Sequence, residues 1–313
     1  MRLLLYSLST IYTVITKLRN LLFDYNIIRS KTYDIPIICI GNLSVGGSGK
    51  TPHTNYIAQL LTNQYQVAIV SRGYGRKSSG FYYVETNSNP SSVGDEPLQL
   101  KQNNTDCIVA VEKNRNKAIN KILTENPKTN IILLDDGFQH RKIKAGLNII
   151  ITPFEKPFTK DALIPLGTLR ESPSSSKRAD IIIVSKTPKE TKLEEKRKLI
   201  TDLNLKNHQK VYFSSVKYHN YKCIQNNSEI IDEDEYNITL ITGIANPLPL
   251  VEYLQKKKRK VTLIQFADHH NYTLKDVKNI LSVFNKDKSP KKLILTTEKD
   301  ATKLRGFLKA FKG

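Results

Sequence analysis

A glycine-rich turn that ends in Gly-Lys-Thr is the segment of this sequence best suited to chemistry. It follows the apolar run 37–40 and precedes a stretch compatible with a helix. Glycines without a Cβ let backbone N–H groups face a nucleotide phosphate, and the helix N-terminus adds the positive end of its dipole. In such a loop the lysine reaches the β- and γ-phosphates and the threonine holds Mg²⁺. The candidate nucleotide-binding residues are Gly46, Gly47, Ser48, Gly49, Lys50 and Thr51.

The loop departs from the general phosphate-binding pattern at one position. Ser44 occupies the place of the first glycine in G-x-x-x-x-G-K-[ST]. A short Gly/Ser/Lys segment also arises by chance, so an ordinary turn between a strand and a helix is the alternative.

Two pairs of carboxylates have positions that suit phosphoryl transfer. Asp135 and Asp136 end the apolar run 131–134, where phosphate-loop enzymes place an acid beside Mg²⁺. A plain Asp-Asp-Gly turn is the alternative interpretation. In Gly-Asp-Glu-Pro at 94–97 a helix begins with two acids. Asp95 is the candidate acceptor of the substrate hydroxyl proton if the protein is a kinase.

Histidines and arginines in loops supply further candidates. His269 and His270 follow a predicted strand and could form an Asp–His relay, although hydrogen-bonded loop histidines without function are commoner. Arg72, and Arg170 followed by Glu171, lie in loops after strands and suit phosphate contact.

Composition indicates a globular protein with an anionic partner. With 313 residues the chain is long enough for one large domain or two ordinary ones. Its hydrophobic content of 39% is adequate for a packed core. Three cysteines without a C-x-x-C spacing argue against disulfides and zinc, and favour a reducing compartment. The formal charge is +20, and residues 256–313 hold sixteen Lys or Arg against five Asp or Glu. This field suits nucleic acid, an anionic membrane or a phosphorylated lipid.

Nucleic acid is the least favoured of these partners. The basic segments lack interleaved aromatic residues, a helix-turn-helix signal and zinc-finger spacing. The basic run 256–260 is also consistent with a solvated helix end.

The N-terminal segment, residues 1–28, has apolar residues at helical spacing and few charges. The uncharged run 3–16 is too short for a spanning helix, which needs about 20 apolar residues. An amphipathic helix in the membrane interface and a helix packed on its own domain are both consistent with this pattern.

Short Val/Ile/Leu-rich runs separated by helix-length segments predict an α/β fold. Continuous apolar runs are typical of strands covered on both faces, hence of a mostly parallel sheet with helices on each side. Around 205–237 the sequence becomes polar, and a second β/α series begins at Ile238. The predicted strands are 36–41, 66–71, 107–111, 130–134, 148–152, 180–185, 238–242, 261–266 and 292–297.

These observations predict four segments. They are an N-terminal helix at 1–28 that belongs to the first domain, a phosphate-loop domain at 29–210, a hinge or β-ribbon linker at 211–237, and a smaller α/β domain at 238–313. The loop 152–177, rich in proline and serine, is long enough to be functional.

Taken together, the motifs resemble the tetraacyldisaccharide 4′-kinase family of lipid A biosynthesis. The matching pieces extend over nearly the whole chain, and members of that family carry Ser or Thr at the position of Ser44. The pieces are the N-terminal helix and the segments 41–52, 71–76, 94–97, 134–140, 169–171, 266–269 and 297–301.

The resemblance implies a P-loop NTPase-like fold and ATP- and Mg²⁺-dependent phosphorylation of the 4′-hydroxyl of a lipid A disaccharide 1-phosphate. It also implies peripheral attachment to the cytoplasmic face of the bacterial inner membrane. We expect a monomer that binds an anionic membrane surface and no nucleic acid.

The resemblance also suggests residue roles. Lys50 and Thr51 would handle phosphates and Mg²⁺, Asp95 would be the general base, and His269 its partner after hinge closure. Candidates for the metal and its water shell are Thr51, Asp135, Asp136 and Glu96, and Arg72, Arg170 and Glu171 are the cleft residues.

Other classes remain possible at this stage. Another P-loop kinase or ligase could act on a different anionic substrate. A GTPase should carry a guanine-reading Asn-Lys-x-Asp, and Ser185-Lys-Thr-Pro188 lacks its acid. A basic nucleic-acid-stimulated ATPase is favoured only by charge, and the acids around Gly-Lys-Thr argue against a non-catalytic scaffold.

Overall fold

The chain divides into two compact units that are not simple halves of the sequence. A computed structural model describes residues 2–226, 228–230, 236–257 and 259–311. The first unit contains residues 1–73, 78–87 and 100–217, and the second contains 74–77, 88–99 and 218–313.

This grouping differs from the linear division expected from the sequence. Residues 74–77 and 88–99, within the expected phosphate-loop domain, belong to the second unit. Residues 211–213, expected at the start of the linker, instead belong to a strand of the first unit's sheet. This strand, 210–213, pairs in parallel with the strand at 181–185.

An eight-stranded sheet forms the centre of the first unit. The strand order is β3-β4-β2-β5-β1-β6-β7-β8, and all pairs are parallel except β3 with β4. The mostly parallel sheet predicted from the apolar runs is therefore confirmed. The strands are β1 (Ile37–Gly41), β2 (Val67–Ser71), β3 (Tyr82–Tyr83), β4 (Ile108–Val111), β5 (Ile131–Asp135), β6 (Leu147–Pro153), β7 (Ile181–Ser185) and β8 (Lys210–Phe213).

Helices cover both faces of this sheet. Alternate residues of a strand point to opposite faces, and Cys39 of β1 packs in a cluster with residues of α5 and α6. Its neighbour Ile40 packs in a second cluster with Ile57 of α2. The helices are α1 (Arg2–Asp24), α2 (Lys50–Leu61), α3 (Pro90–Val93), α4 (Asp95–Asn103), α5 (Arg115–Glu125) and α6 (Leu193–Asp202), of which α3 and the first turn of α4 belong to the second unit.

The N-terminal helix α1 packs on the first unit through polar side chains. Ser9 Oγ donates to the Leu163 carbonyl at 3.0 Å, and Tyr12 OH donates to the Arg170 carbonyl at 2.9 Å. Eight apolar or aromatic residues of α1 are 45–63% exposed. They are Leu4, Tyr6, Leu8, Ile11, Val14, Ile15, Leu18 and Leu21. Within the described ranges, the structure contains no helix that is both long and apolar enough to cross a bilayer.

The second unit is a smaller α/β layer structure. Its three-stranded parallel sheet has the order β12-β11-β13. Ile238 and Leu240 of β11 pack with Leu254 of α7, and Ile241 packs on the other side with Ile280 of α8. The elements are β9 (Tyr221–Lys222), β10 (Glu229–Ile230), β11 (Asn237–Thr242), α7 (Leu248–Lys256), β12 (Val261–Gln265), α8 (Leu274–Lys286), β13 (Lys292–Thr296) and α9 (Glu298–Leu304).

Part of the expected linker is a β-ribbon. Strands β9 and β10 form an antiparallel pair inside the second unit. Residues 227 and 231–235 of that linker, and Lys258 of the basic run, lie outside the described residues.

Candidate functional site

The glycine-rich loop joins the carboxyl end of β1 to the N-terminus of α2, which begins at Lys50. Gly46 and Gly49 have φ angles of 99° and 91°, values that side chains with a Cβ disfavour and glycine adopts freely. The loop therefore has the backbone freedom and the following helix that a phosphate nest requires.

Three successive carbonyl groups of the loop accept hydrogen bonds from side chains. Lys186 Nζ donates to Gly47 O, and Ser185 Oγ donates to Ser48 O, each at 2.7 Å. His53 Nδ1 lies 2.7 Å from Gly49 O. These contacts, which we call the carbonyl clamp, fix the carbonyls of Gly47, Ser48 and Gly49 on protein donors and so restrict how the peptide units between them can turn.

The chemistry of its partners defines the tautomer of His53. A carbonyl oxygen can only accept, so Nδ1 carries the proton and Nε2 accepts from Ser214 Oγ at 2.9 Å. Burial lowers the pKa of His53, although its bond to Gly49 opposes the shift. The neutral ring that this geometry needs is thus favoured. The sequence did not indicate the clamp, because Ser185 and Lys186 are distant in sequence from the loop.

Asp135 ends β5 as a buried carboxylate with two hydroxyl donors. Thr54 Oγ1 of α2 donates to one of its oxygens at 3.0 Å, and Ser71 Oγ of β2 donates to the other at 3.1 Å. The side chain is therefore fixed in orientation beside the first turns of α2.

Asp136 lies among cations. Arg170 Nη1 contacts its two oxygens at 3.0 and 2.9 Å, and Lys50 Nζ lies 3.7 Å from Oδ1. Burial alone would raise the pKa of Asp136, but Lys50 and Arg170 outweigh burial and hold this pKa below its ordinary value. Asp136 is therefore ionised and directed toward the lysine of the glycine-rich loop.

The long loop after β6 carries Arg170 to this position. Arg170 N donates to Leu43 O and Val45 N donates to Thr168 O, each at 2.7 Å, so the loop packs against the start of the glycine-rich turn. The functional role expected for this loop from its length stays a prediction.

Glu171 has a different environment from the cleft position expected for it. It is only 1% exposed, and it contacts Arg178 at 2.5 Å and Asn20 of α1 at 3.3 Å. A carboxylate this buried is normally paired, and Glu171 joins α1 to the loop. Arg72 follows β2 and is exposed.

Asp95 is the first residue of α4 and belongs to the second unit. Its Oδ2 lies 3.3 Å from His269 Nδ1 and 2.6 Å from Lys303 Nζ. Burial alone would raise the pKa of Asp95, but hydrogen bonds from His269 and Lys303 lower it below the ordinary value. Because Asp95 and His269 lie in the same unit, their contact needs no hinge closure, in contrast to the sequence-based hypothesis.

The two histidines have different surroundings. Lys299 Nζ lies 3.4 Å from His269 Nε2 and 2.7 Å from Asp268. Lysine can only donate, so Nε2 is the acceptor and Nδ1–H faces Asp95. His270 instead stacks on Phe266 and contacts Asp276, the acid of the capping box of α8. His269, rather than His270, is the partner of Asp95.

Oxygen ligands for Mg²⁺ come from few residues. The described part of the chain contains no group of three or more His, Cys, Asp or Glu side chains arranged to hold a metal. Mg²⁺ in phosphoryl-transfer enzymes needs only one or two carboxylates, with nucleotide phosphates and water as the other ligands. Thr51, Asp135 and Asp136, the candidate ligands in the first unit, all carry side-chain oxygen atoms. Glu96 lies beside Asp95 at the start of α4 and is half-buried.

Comparison with known proteins identifies relatives along the whole chain. The family profile described as tetraacyldisaccharide-1-P 4′-kinase (LpxK) matches residues 1–312. The tetraacyldisaccharide 4′-kinase of Bacteroides fragilis is 43% identical over 308 residues, which cover 96% of this chain and 82% of that protein. The protein of the same name from Flavobacterium johnsoniae is 40% identical, with 97% and 88% covered.

A solved structure has a similar fold. The crystal structure of LpxK from Aquifex aeolicus in complex with ATP superposes with a TM-score of 0.73 at 29% identity. The match covers 96% of this chain and 90% of that one.

Proposed function

Because this chain belongs to the tetraacyldisaccharide 4′-kinase family, it transfers a phosphoryl group from ATP to the 4′-hydroxyl of a tetraacyldisaccharide 1-phosphate, and we propose which residues do so. The observation that carries the proposal is the intact Gly46–Thr51 loop, with Asp136 directed at Lys50, in a chain matched by the family from residue 1 to 312. The product is the 4′-phosphorylated lipid A precursor.

The first unit supplies the phosphate and metal ligands. The N–H groups of residues 46–51 bind the ATP phosphates, and Lys50 offsets charge on the β- and γ-phosphates. Thr51, Asp135 and Asp136 would hold Mg²⁺, which would offset charge on the phosphate oxygens. Arg170 keeps Asp136 in place, as its two contacts indicate.

The second unit supplies the group that activates the acceptor. Asp95 accepts the hydrogen bond of the 4′-hydroxyl and receives its proton as the phosphoryl group transfers. His269 orients the carboxylate through Nδ1–H. Glu96 would contribute to the water shell of the metal. Arg72, which belongs to the first unit, contacts substrate or nucleotide phosphate.

The enzyme attaches peripherally to the cytoplasmic face of the inner membrane. The support is α1, which directs polar side chains at its own unit and leaves a row of apolar ones exposed. The excess of Lys and Arg attracts anionic lipid and the substrate's own phosphate. We expect the active form to be a monomer that does not bind nucleic acid.

The test is transfer of labelled γ-phosphate from ATP to tetraacyldisaccharide 1-phosphate in detergent micelles. Wild-type protein should form product, whereas Lys50→Ala and Asp95→Ala should form little, with Asp95→Ala keeping its affinity for ATP. Lys189→Ala, an exposed residue outside the glycine-rich loop, is the matched control. Absence of product from folded, ATP-binding wild type would refute the assignment, and DNA-stimulated ATP hydrolysis would favour the nucleic-acid alternative.

A further inference from the structure

We propose that Lys303 is a positioning residue that holds the Asp95 carboxylate in the orientation needed to accept the substrate hydroxyl. The inference rests on the proposed role of Asp95 in the kinase reaction. It concerns residues of the second unit alone.

Lys303 is placed to act as a fixed donor rather than as a solvated surface charge. Its side chain is 7% exposed and that of Asp95 is 12% exposed. Nζ contacts Asp95 Oδ2 at 2.6 Å and donates to the His270 carbonyl at 3.0 Å. Two fixed acceptors restrict the flexible lysine stem to one geometry, so that the ammonium group can in turn restrict the carboxylate.

The division of contacts between the two carboxylate oxygens supports this role. Oδ2 faces both Lys303 and His269. Among the described residues, Oδ1 of Asp95 has no hydrogen-bond donor. With Oδ2 engaged twice, rotation of the carboxylate is opposed, and Oδ1 is the oxygen available to an acceptor hydroxyl.

The backbone that carries Lys303 is itself fixed. Asp300, one turn earlier in α9, is 1% exposed and accepts from Gly243 N at 3.0 Å, Tyr272 OH at 3.1 Å and Thr297 Oγ1 at 2.7 Å. These bonds join the N-terminus of α9 to the end of β11 and to the segment that follows His270. The helix that carries Lys303 is thus bonded through Asp300 to Tyr272, three residues after His269.

A fixed carboxylate matters because phosphoryl transfer has little covalent chemistry for a protein to perform and depends on placement of the nucleophile. A displacement of about 1 Å can cost about 100-fold in rate. Loss of Lys303 should therefore lower kcat while leaving ATP and lipid binding nearly unchanged.

The test compares Lys303→Met and Lys303→Arg with wild type in the micellar kinase assay. We expect kcat to fall about 100-fold in Lys303→Met, with both KM values changed less than about threefold, and to recover partly in Lys303→Arg. Lys309→Met, an exposed residue after α9, removes the same charge and should behave as wild type.

A double-mutant cycle with Asp95→Asn shows whether Lys303 acts through Asp95. In that background Lys303→Met should lower kcat no further. Wild-type kcat in Lys303→Met, or full additivity with Asp95→Asn, would overturn the positioning role while leaving the kinase assignment intact. A wild type that forms no lipid product would instead refute the proposed function, and the inference with it. If Lys303→Met does not fold, Lys303→Gln is used in the same cycle.

Discussion

Arg170 Nη1 contacts both carboxylate oxygens of Asp136, at 3.0 and 2.9 Å, while Lys50 approaches the same carboxylate at 3.7 Å. Asp136, a proposed ligand of Mg²⁺, is thus oriented by an arginine that belongs to a different loop. The loop after β6 therefore positions a residue of the proposed Mg²⁺ site in addition to connecting two strands.

Replacement of Arg170 by Lys should lower kcat about 10- to 100-fold, because the lysine side chain is one bond shorter than the path to Nη1 and would not place its nitrogen against both oxygens of Asp136. Steady-state kinetics at saturating ATP and substrate measure the change. Arg197→Lys, at an exposed position in α6, is the control. An Arg170→Lys enzyme as fast as wild type would contradict the proposed role of this contact.

The carbonyl clamp should contribute to ATP affinity. Lys186→Met removes a charged donor from Gly47 O, and a hydrogen bond to a charged group contributes about 1.5–3 kcal/mol, so Kd for ATP should rise about 10-fold or more. Ser185→Ala should have a smaller effect of the same sign, and Lys189→Met should have none. The measurement is titration with a fluorescent ATP analogue.

Amide hydrogen exchange gives an independent check of the same prediction. Residues 46–50 should exchange faster in the ATP-free Lys186→Met and Ser185→Ala proteins than in wild type, because the loop has lost a fixed carbonyl. Unaltered exchange together with unaltered affinity would show that the clamp has no role in nucleotide binding.

The exposed residues of α1 should determine binding to lipid vesicles. Ile11→Gln with Ile15→Gln removes two side chains that are 57% and 59% exposed. Full burial of an isoleucine contributes about 1.5–3 kcal/mol, so the double variant should bind at least about 10-fold less well to phosphatidylglycerol-containing vesicles. Leu193→Gln, at a position 62% exposed in α6, is the control. Equal cosedimentation of all three proteins would exclude α1 as the membrane anchor.

Stability should depend on pH through His140. Burial first, and then the nearby charges of Arg115, Lys142, Arg19 and Arg72, lower the pKa of His140 from 6.5 to about 4. Between these two values the unfolded chain binds the proton and the folded one does not, so the free energy of unfolding rises with pH. The contribution is complete above about 6.5 and lost as pH falls toward about 4.

Urea unfolding of wild type and His140→Gln at pH 5 and pH 7 measures this effect. The difference in stability between the two pH values should be smaller in His140→Gln, and His208→Gln, at an exposed position, should resemble wild type. A variant with an unchanged pH dependence would exclude His140 as the responsible group.

Local sequence patterns predicted the strands well, because continuous Val/Ile/Leu runs between turn residues specify buried parallel strands without knowledge of their neighbours. The predicted strands 36–41 and 66–71 differ from β1 and β2 by one residue at the start, and the predicted strand 130–134 differs from β5 by one residue at each end. The strand ends also identify the edge at which Lys50 and Asp136 meet, since parallel strands direct their carboxyl ends to one side.

Contacts between distant segments could not be predicted in the same way. The environment of Glu171 depends on how α1 packs, and the choice between His269 and His270 depends on the capping box of α8. The carbonyl clamp joins the last residue of β7, Ser185, and the next residue, Lys186, to the loop after β1, and these pairs lie 137 and 139 residues apart. No spacing rule in the sequence identifies such pairs.

The packing of α1 has a practical consequence for producing a detergent-free enzyme. Ser9, Tyr12 and Asn20 bond to residues 163, 170 and 171, so α1 supports the same loop that presents Arg170. Deleting the helix would remove this support together with the exposed apolar residues of α1. Polar replacements confined to the exposed positions of α1 should raise solubility without loss of activity, because the side chains that hydrogen-bond to the loop would remain.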